Sequence, residues 1–301
     1  MNRFDEEALR KVKLSGNILR ETREETKHFV QEGMPIIEIC RKVESLISEK
    51  GGKPAFPCNI SINEIAAHYT SPPGDRKRIP ERSIVKVDIG VHVDGYVTDT
   101  AVTVCFDPEL KSLVETAEQA LETAIANTRP GVSTSRLGSL IEKTIRSRGF
   151  KPISNLTGHE VGRYLVHGGA KIPNVSTISL SRIKLNRTYA IEPFVTLANA
   201  AGKVQNGEQV TIFRFLKRRS LKNPHAKQLL KYIERNFRTL PFAERWLQSV
   251  VPKECFREAF RELLSSKTLM GYPVFVEASR KPVAQAEHTV LIVEDGCVVL
   301  T

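Results

Sequence analysis

Apolar positions recur at helical spacing over residues 5–31, where Leu9, Val12, Ile18, Leu19, Phe29 and Val30 interrupt dense charge. This pattern predicts one amphipathic helix ending near Gly33. Pro35 opens a second helix, with Ile36, Ile39, Cys40, Val43 and Ile47 on its apolar stripe and Gly51-Gly52 closing it. The period then changes. Phe56 to Asn63 reads as extended, and residues 84–104 form two β-branched runs joined by Asp94-Gly95, a strong hairpin signal. With Asp94 and Gly95 in the turn, Asp88 faces Ala101 and Gly90 faces Asp99. These four then share one face of the hairpin, while Val87, Ile89, Val91 and Val102 fill the other. Asp107-Pro108 starts a further helix that runs to about Arg129.

The pattern then repeats. A shift of 98 residues maps Gly33 onto Gly131, Ile39 onto Leu137, Val43 onto Ile141, Ile47 onto Ile145, Gly51 onto Gly149 and Lys53-Pro54 onto Lys151-Pro152. A unit of this length, present twice, predicts two similar halves about a pseudo-twofold axis. The second half should therefore supply acids of its own. Thr188 to Leu197 is an apolar run whose only charge is Glu192, and Val283 to Val293 with Cys297 to Thr301 predicts a hairpin turning at Asp295-Gly296. Its first strand puts Gln285, Glu287 and Thr289 on one face and Ala286, Val290 and Ile292 on the other. Between Glu192 and Glu287, the stretches Asn223–Asn236, Phe242–Val250 and Pro252–Leu264 read as helices. Residues 200–275 are thus expected to be a mainly helical insert with strand-like edges, within a single catalytic domain spanning 1–301.

Composition changes little. The chain of 301 residues is 41% hydrophobic and 26% charged, as in an ordinary globular protein. Its start is charged and no apolar run approaches the length of a bilayer span, so neither a signal peptide nor a membrane segment is expected. Five cysteines, none in a CxxC pair, fit reduced thiols in a cytoplasm. A net charge of +11 suggests contact with something polyanionic, RNA in the form of the ribosome being one candidate. The basic clusters at Arg76-Lys77-Arg78 and Lys217-Arg218-Arg219 lack interleaved aromatics, so they fit solvated faces equally well.

The chemistry lies in the acids. Asp88 and Asp99 are diagonal neighbours on the hairpin, and two carboxylates aimed into one small-walled site repel unless a cation lies between them. From the hairpin alone, a wet face and a metal site are equal alternatives. Glu192 in its apolar run tilts the balance, because an unpaired buried carboxylate is costly. His159 and His167, eight residues apart, offer imidazole, the commonest metal ligand. His92 reads as a rim residue next to the turn, and His28 and His225 as solvated positions on helices.

With Asp88, Asp99, His159, Glu192 and Glu287 in that order, the chain resembles the methionine aminopeptidases, in particular the short type 2 subfamily. The resemblance rests on Asn63–Tyr69, the hairpin, Gly158-His159, Ala190–Phe194, Leu240–Leu247 and Gln285–Thr289, and covers nearly the whole chain. It implies an α+β pita-bread fold, with pseudo-twofold halves around a curved antiparallel sheet and a helical insert. It also implies two divalent metal ions (Co, Mn, Fe, Ni or Zn) held by Asp88, Asp99, His159, Glu192 and Glu287, Asp99 and Glu287 bridging. The implied reaction removes the initiator methionine from nascent polypeptide N-termini with a small second residue, by hydroxide attack from the dinuclear site. The resemblance further makes His68 and His167 catalytic and substrate-binding, Glu287 or Glu192 the proton shuttle, and Phe56 and Val166 walls of the methionine pocket, with Pro241 and Trp246 closing it from the insert. It goes with a cytoplasmic monomer. The competing readings are a proline-specific aminopeptidase of the same fold and a non-catalytic ribosome- or RNA-binding relative. The short stretch before His68 weighs against the first, and the five intact ligand positions against the second.

Overall fold

The computed structural model describes residues 5–301. The first helix, Glu6–Phe29, is capped by Asp5, whose carboxylate accepts from the Ala8 N–H, and it buries Val12, Ile18 and Leu19. The second, Ile36–Glu49, buries all the apolar positions seen in its sequence stripe. After Asp107 a single 3₁₀ turn, Pro108–Leu110, leads into the helix Lys111–Ala126. The repeated helix follows at Thr134–Ser147, capped by Ser133.

An eight-stranded antiparallel sheet forms the centre. Its order is Lys53–Ile62, Ile84–Val93, Tyr96–Cys105, Glu287–Val293, Thr188–Ile191, Thr157–Gly162 and Leu165–Pro173, with Gly296–Val299 also paired to Glu287–Val293. One face of the first half packs on the first two helices through Val87, Ile89, Val91 and Val102. The matching core of the second half gathers Leu137, Ile141 and Ile145 with Tyr189, Val290 and Ile292.

The pseudo-twofold relation extends to single hydrogen bonds. Gly33 N–H donates to Ile79 O at 2.8 Å, and Gly131 N–H to Ile183 O at 2.9 Å. Arg78 Nη1 returns to Gly33 O at 2.8 Å, and Arg182 Nη1 to Gly131 O at 2.7 Å. Both glycines need positive φ, 76° and 83°, which a β-carbon would penalise.

Two expected strands are each divided. Thr188–Ile191 pairs with Glu287–Val293 in the large sheet, whereas Phe194–Leu197 pairs with Val283–Gln285 in a three-stranded sheet with Phe150–Pro152. The breaks fall together, at Glu192-Pro193 and at Ala286. Pro193 cannot donate to a ladder, and its carbonyl accepts from Ala286 N–H at 3.3 Å. Glu192 and Glu287 thus flank the point where both strands pass from one sheet to the other. The last hairpin turns at Glu294-Asp295, one residue earlier than expected, because Gly296 is already paired with Val293.

Between these strands, Val204–Phe215 and Leu269–Glu277 form a four-stranded sheet with Phe242–Ala243 and Ile65–Ala67. The helices Pro224–Asn236 and Lys253–Ser265 cover it and share a separate core. Phe242–Val250, expected as a helix, is instead a short strand followed by a 3₁₀ turn at Glu244–Leu247. Pairing of Phe242 with Phe213 and its complete burial take precedence over local propensity there. No helix among the described residues is long and apolar enough to cross a membrane.

Candidate active site

The central hairpin keeps the expected register, with Asp88 opposite Ala101 and Gly90 opposite Asp99. The small residues across from the two acids have separate reasons. Gly90 also pairs with Phe56, and a β-carbon there would lie 2.2 Å from the Phe56 ring. Ala101 stands opposite Glu287 on its other side, leaving room for that carboxylate.

Threonines pin the last strands to the hairpin. Thr289 Oγ1 accepts from Asp99 N–H at 2.7 Å and donates to Asp99 O at 2.8 Å, while Thr100 Oγ1 donates to Glu287 O at 2.6 Å. Gln285 Nε2 lies between two carboxylates, 3.5 Å from Glu192 Oε2 and 3.4 Å from Glu287 Oε2. His159 comes from the strand paired with Thr188–Ile191, and its Nε2 is 3.4 Å from Glu192 Oε1 and 3.9 Å from Asp99 Oδ2. Ligand atoms of Asp99, His159 and Glu287 all lie within 4.8 Å of one another.

Four carboxylates meet in a nearly dry place. Asp99 is 3% and Glu287 2% exposed. Asp88 Oδ1, Asp99 Oδ1, Glu287 Oε1 and His159 Nδ1 are buried without a hydrogen-bond partner. Burial pushes the Asp88 carboxyl up to about 7. Burial, then repulsion from neighbouring acids, raises Asp99, Glu192 and Glu287 well above the carboxylate range. The His159 imidazole is driven well below its ordinary value, first by burial and then by His167. Orphaned oxygens beside a neutral imidazole are the donor set a divalent cation satisfies, and bound charge would return the acids to their ionised form. The residues present fit a metal.

This cluster floors a cavity of about 560 Å³. Phe56 and Val166 line it and pack in one apolar cluster with Val97, Val161 and Leu240. His68 and His167 line it as well, each near the Tyr272 ring, at ring separations of 5.5 and 6.5 Å. His68 holds φ = 67°, a left-handed conformation that costs a residue with a β-carbon about 1–2 kcal/mol. Its Nδ1 is 3.3 Å from Pro273 O, which can only accept, so Nδ1 carries the proton and Nε2 keeps a lone pair. Burial, followed by the charge of His167, lowers the His68 pKa to about 4. The His167 ring lies 4.4 Å from that of His159, tilted by 58°, and is exposed to the cleft itself. Desolvation by its surroundings, then Arg214 and Lys171, hold its pKa below the ordinary value.

Several expectations move. Pro241 lines the cavity but Trp246 does not: its indole donates to Glu44 Oε2 at 2.8 Å, beside an Arg245–Glu44 ion pair that ties the insert to the second helix. His92 is a buried turn brace whose Nδ1 accepts from Gly95 N–H at 3.1 Å. Cys58 packs in the first-half core with Cys40 and leaves the pocket untouched. Tyr272, Phe275, Ile212 and Arg214, all on the insert strands, line the cavity without a local sequence signal. The sequence places Gln285 on the same face as Glu287 and assigns it no role.

Residues 10–218 match the model of metallopeptidase family M24. A methionine aminopeptidase of Methanothermobacter thermautotrophicus is 43% identical over 290 residues, 95% of this chain and 96% of that protein. One of Saccharolobus solfataricus is 41% identical, covering 98% of each. Among solved structures, a thermophilic Arx1 superposes with a TM-score of 0.83 at 19% identity over 99% of this chain and 91% of that one. Methionine aminopeptidase from Thermotoga maritima gives 0.72 at 24%, over 100% and 99%. Prolidase from Pyrococcus furiosus gives 0.63 at 18%, over 99% and 65%, a likeness of fold alone. The α+β pita-bread architecture, the buried acid–imidazole cluster and near full-length identity above 40% to curated enzymes lead to one conclusion: the chain belongs to metallopeptidase family M24, among the methionine aminopeptidases, which remove the N-terminal methionine of polypeptides.

Proposed function

We propose that this enzyme processes nascent chains whose second residue is small, using two divalent ions held by Asp88, Asp99, His159, Glu192 and Glu287. The observation that carries the reading is the set of unpartnered buried oxygens of Asp88, Asp99 and Glu287 at the floor of a single cavity. Four carboxylates balance two divalent charges, and an oxygen-rich set suits Mn, Fe, Co or Ni as well as Zn. When bound, such ions lower the pKa of a shared water and polarise the scissile carbonyl.

The protein does the rest. Glu287, held by Gln285 Nε2 at its Oε2, is placed to carry a proton from the attacking water to the leaving amine. Glu192 is held by the same amide and is the alternative carrier. Neutral His167 can donate a hydrogen bond to the developing oxyanion, and His68, with its free Nε2 lone pair, can accept from a substrate N–H. Phe56 and Val166 accept the methionine thioether. Ile212, Tyr272 and Phe275 close the cavity from residues 200–275, which act as a subdomain within one catalytic unit.

All five ligands come from one chain, so a monomer suffices. A substrate emerging from the ribosome sets the enzyme in the cytoplasm, and the +11 charge suits attraction to ribosomal RNA. Met-Ala-Ser should be cleaved about 10–200-fold faster than Met-Leu-Ser if the second position is sterically filtered. Equal rates would remove the size filter, and faster release of Xaa from Xaa-Pro peptides would support the proline-specific alternative.

A further inference from the structure

Lys171 and Arg214 are two cations that the chemistry above leaves unused. Lys171 pairs with His159 across neighbouring strands, which sets both side chains on the same, cavity-facing side of the sheet. Arg214 reaches the same cavity from the insert strand Val204–Phe215, and among the described residues its guanidinium makes one hydrogen bond, from Nε to Met270 Sδ at 3.1 Å. Both line the same cavity as His167. Among the described residues neither makes an ion pair. The nearby Glu160 has its own partner, Arg187, at 3.3 Å. Nor are they needed as counterions to the acid floor, which two divalent ions would already neutralise.

Their position relative to the pocket matters. Phe56 and Val166, at 6% and 5% exposure, form the closed end, whereas Lys171 is exposed and Arg214 half-exposed. A polypeptide entering with its methionine at the closed end must lead its following residues out past these two side chains. Two cations without an ion-pair partner, one from Leu165–Pro173 and one from Val204–Phe215, make that exit attractive to acidic groups and repulsive to basic ones.

We propose that Lys171 and Arg214 form an exit clamp that selects polypeptides bearing Asp or Glu just beyond the small second residue, and disfavours Lys or Arg there. The inference rests on the proposed methionine-first mode of binding. Exposed charge pairs are modest, so each cation should contribute about two- to five-fold in kcat/KM.

The test compares Met-Ala-Asp-Asp-Ser with Met-Ala-Lys-Lys-Ser on the metal-loaded enzyme. The wild type should favour the acidic peptide several-fold at low salt, mainly through KM, and the preference should shrink at 1 M salt. Lys171→Gln and Arg214→Gln should each lower the ratio of the two kcat/KM values, Arg214→Lys should restore most of it, and Lys171→Glu should shift the preference toward the basic peptide. A merely structural role would depress both peptides together and leave the ratio fixed. Lys171 is exposed, so its variants test the idea even where Arg214→Gln folds poorly. A wild-type ratio near one, or a ratio insensitive to both substitutions, overturns the clamp while leaving methionine removal intact. Failure to cleave either peptide would overturn the binding mode itself.

Discussion

His68 and His167 differ from His159 in what they can touch. His159 Nε2 sits among carboxylate oxygens, whereas His68 is tied to Pro273 O and flanked by Tyr272 and Phe275. His68→Ala and His167→Ala are therefore expected to bind metal like the wild type while losing about 10²–10³ in kcat, as when a transition-state hydrogen bond is removed. Metal content by elemental analysis beside steady-state rates would check this, and metal loss in either variant would place that ring among the ligands. The sequence made the acids visible because Asp and Glu interrupt strands that are otherwise β-branched or apolar. Tyr272 stayed hidden for the opposite reason: an aromatic residue in a strand is what any strand would carry, and only the insert's folding back brings it near both histidines.

At the level of elements, the Phe56 strand is fitted to the hairpin through a missing β-carbon. Gly90→Ala would push a methyl group into the Phe56 ring. Overpacking of this kind costs typically about 1–3 kcal/mol, and displacement of Phe56 should raise KM for methionyl peptides more than it lowers kcat. Thermal melts with KM measurements test this, and an unchanged KM would separate Phe56 from the methionine pocket. The insert is fastened at a different point, where Glu44 accepts from Arg245 and from Trp246 Nε1. Glu44→Gln should leave the buried Arg245 guanidinium without its counter-charge, a loss of up to about 3–5 kcal/mol. Faster amide exchange across residues 224–265 would be its signature, whereas exchange confined to the second helix would show that the insert is held elsewhere. Helices and the central hairpin were legible because their signals are local. The divided strands at Pro193 and Ala286 were not, since each break depends on the other strand changing sheets at the same level. The same holds for Phe242, whose strand state comes from pairing with Phe213.

For the whole molecule, duplication explains both the shape and the chemistry. Each half contributes one helix pair and its own acids, Asp88 and Asp99 from the first and Glu192 and Glu287 with His159 from the second, so the charge gathers where strands of the two halves pair. The halves were readable from the 98-residue offset, and the offset also directed attention to Glu192. The insert breaks the symmetry and closes one side of the cleft, which is why cavity residues such as Ile212 and Phe275 escaped an argument from repeats. Catalysis as proposed requires that the cavity floor hold two ions. Calorimetric titration of the stripped protein with Mn or Co, with Met-Ala-Ser cleavage followed on the same samples, measures that directly. The expected result is two ions per chain, activity that appears with metal, and Glu287→Ala protein that binds at least one ion more weakly and does not turn over. Full activity without metal, or wild-type stoichiometry and turnover in Glu287→Ala, would contradict it.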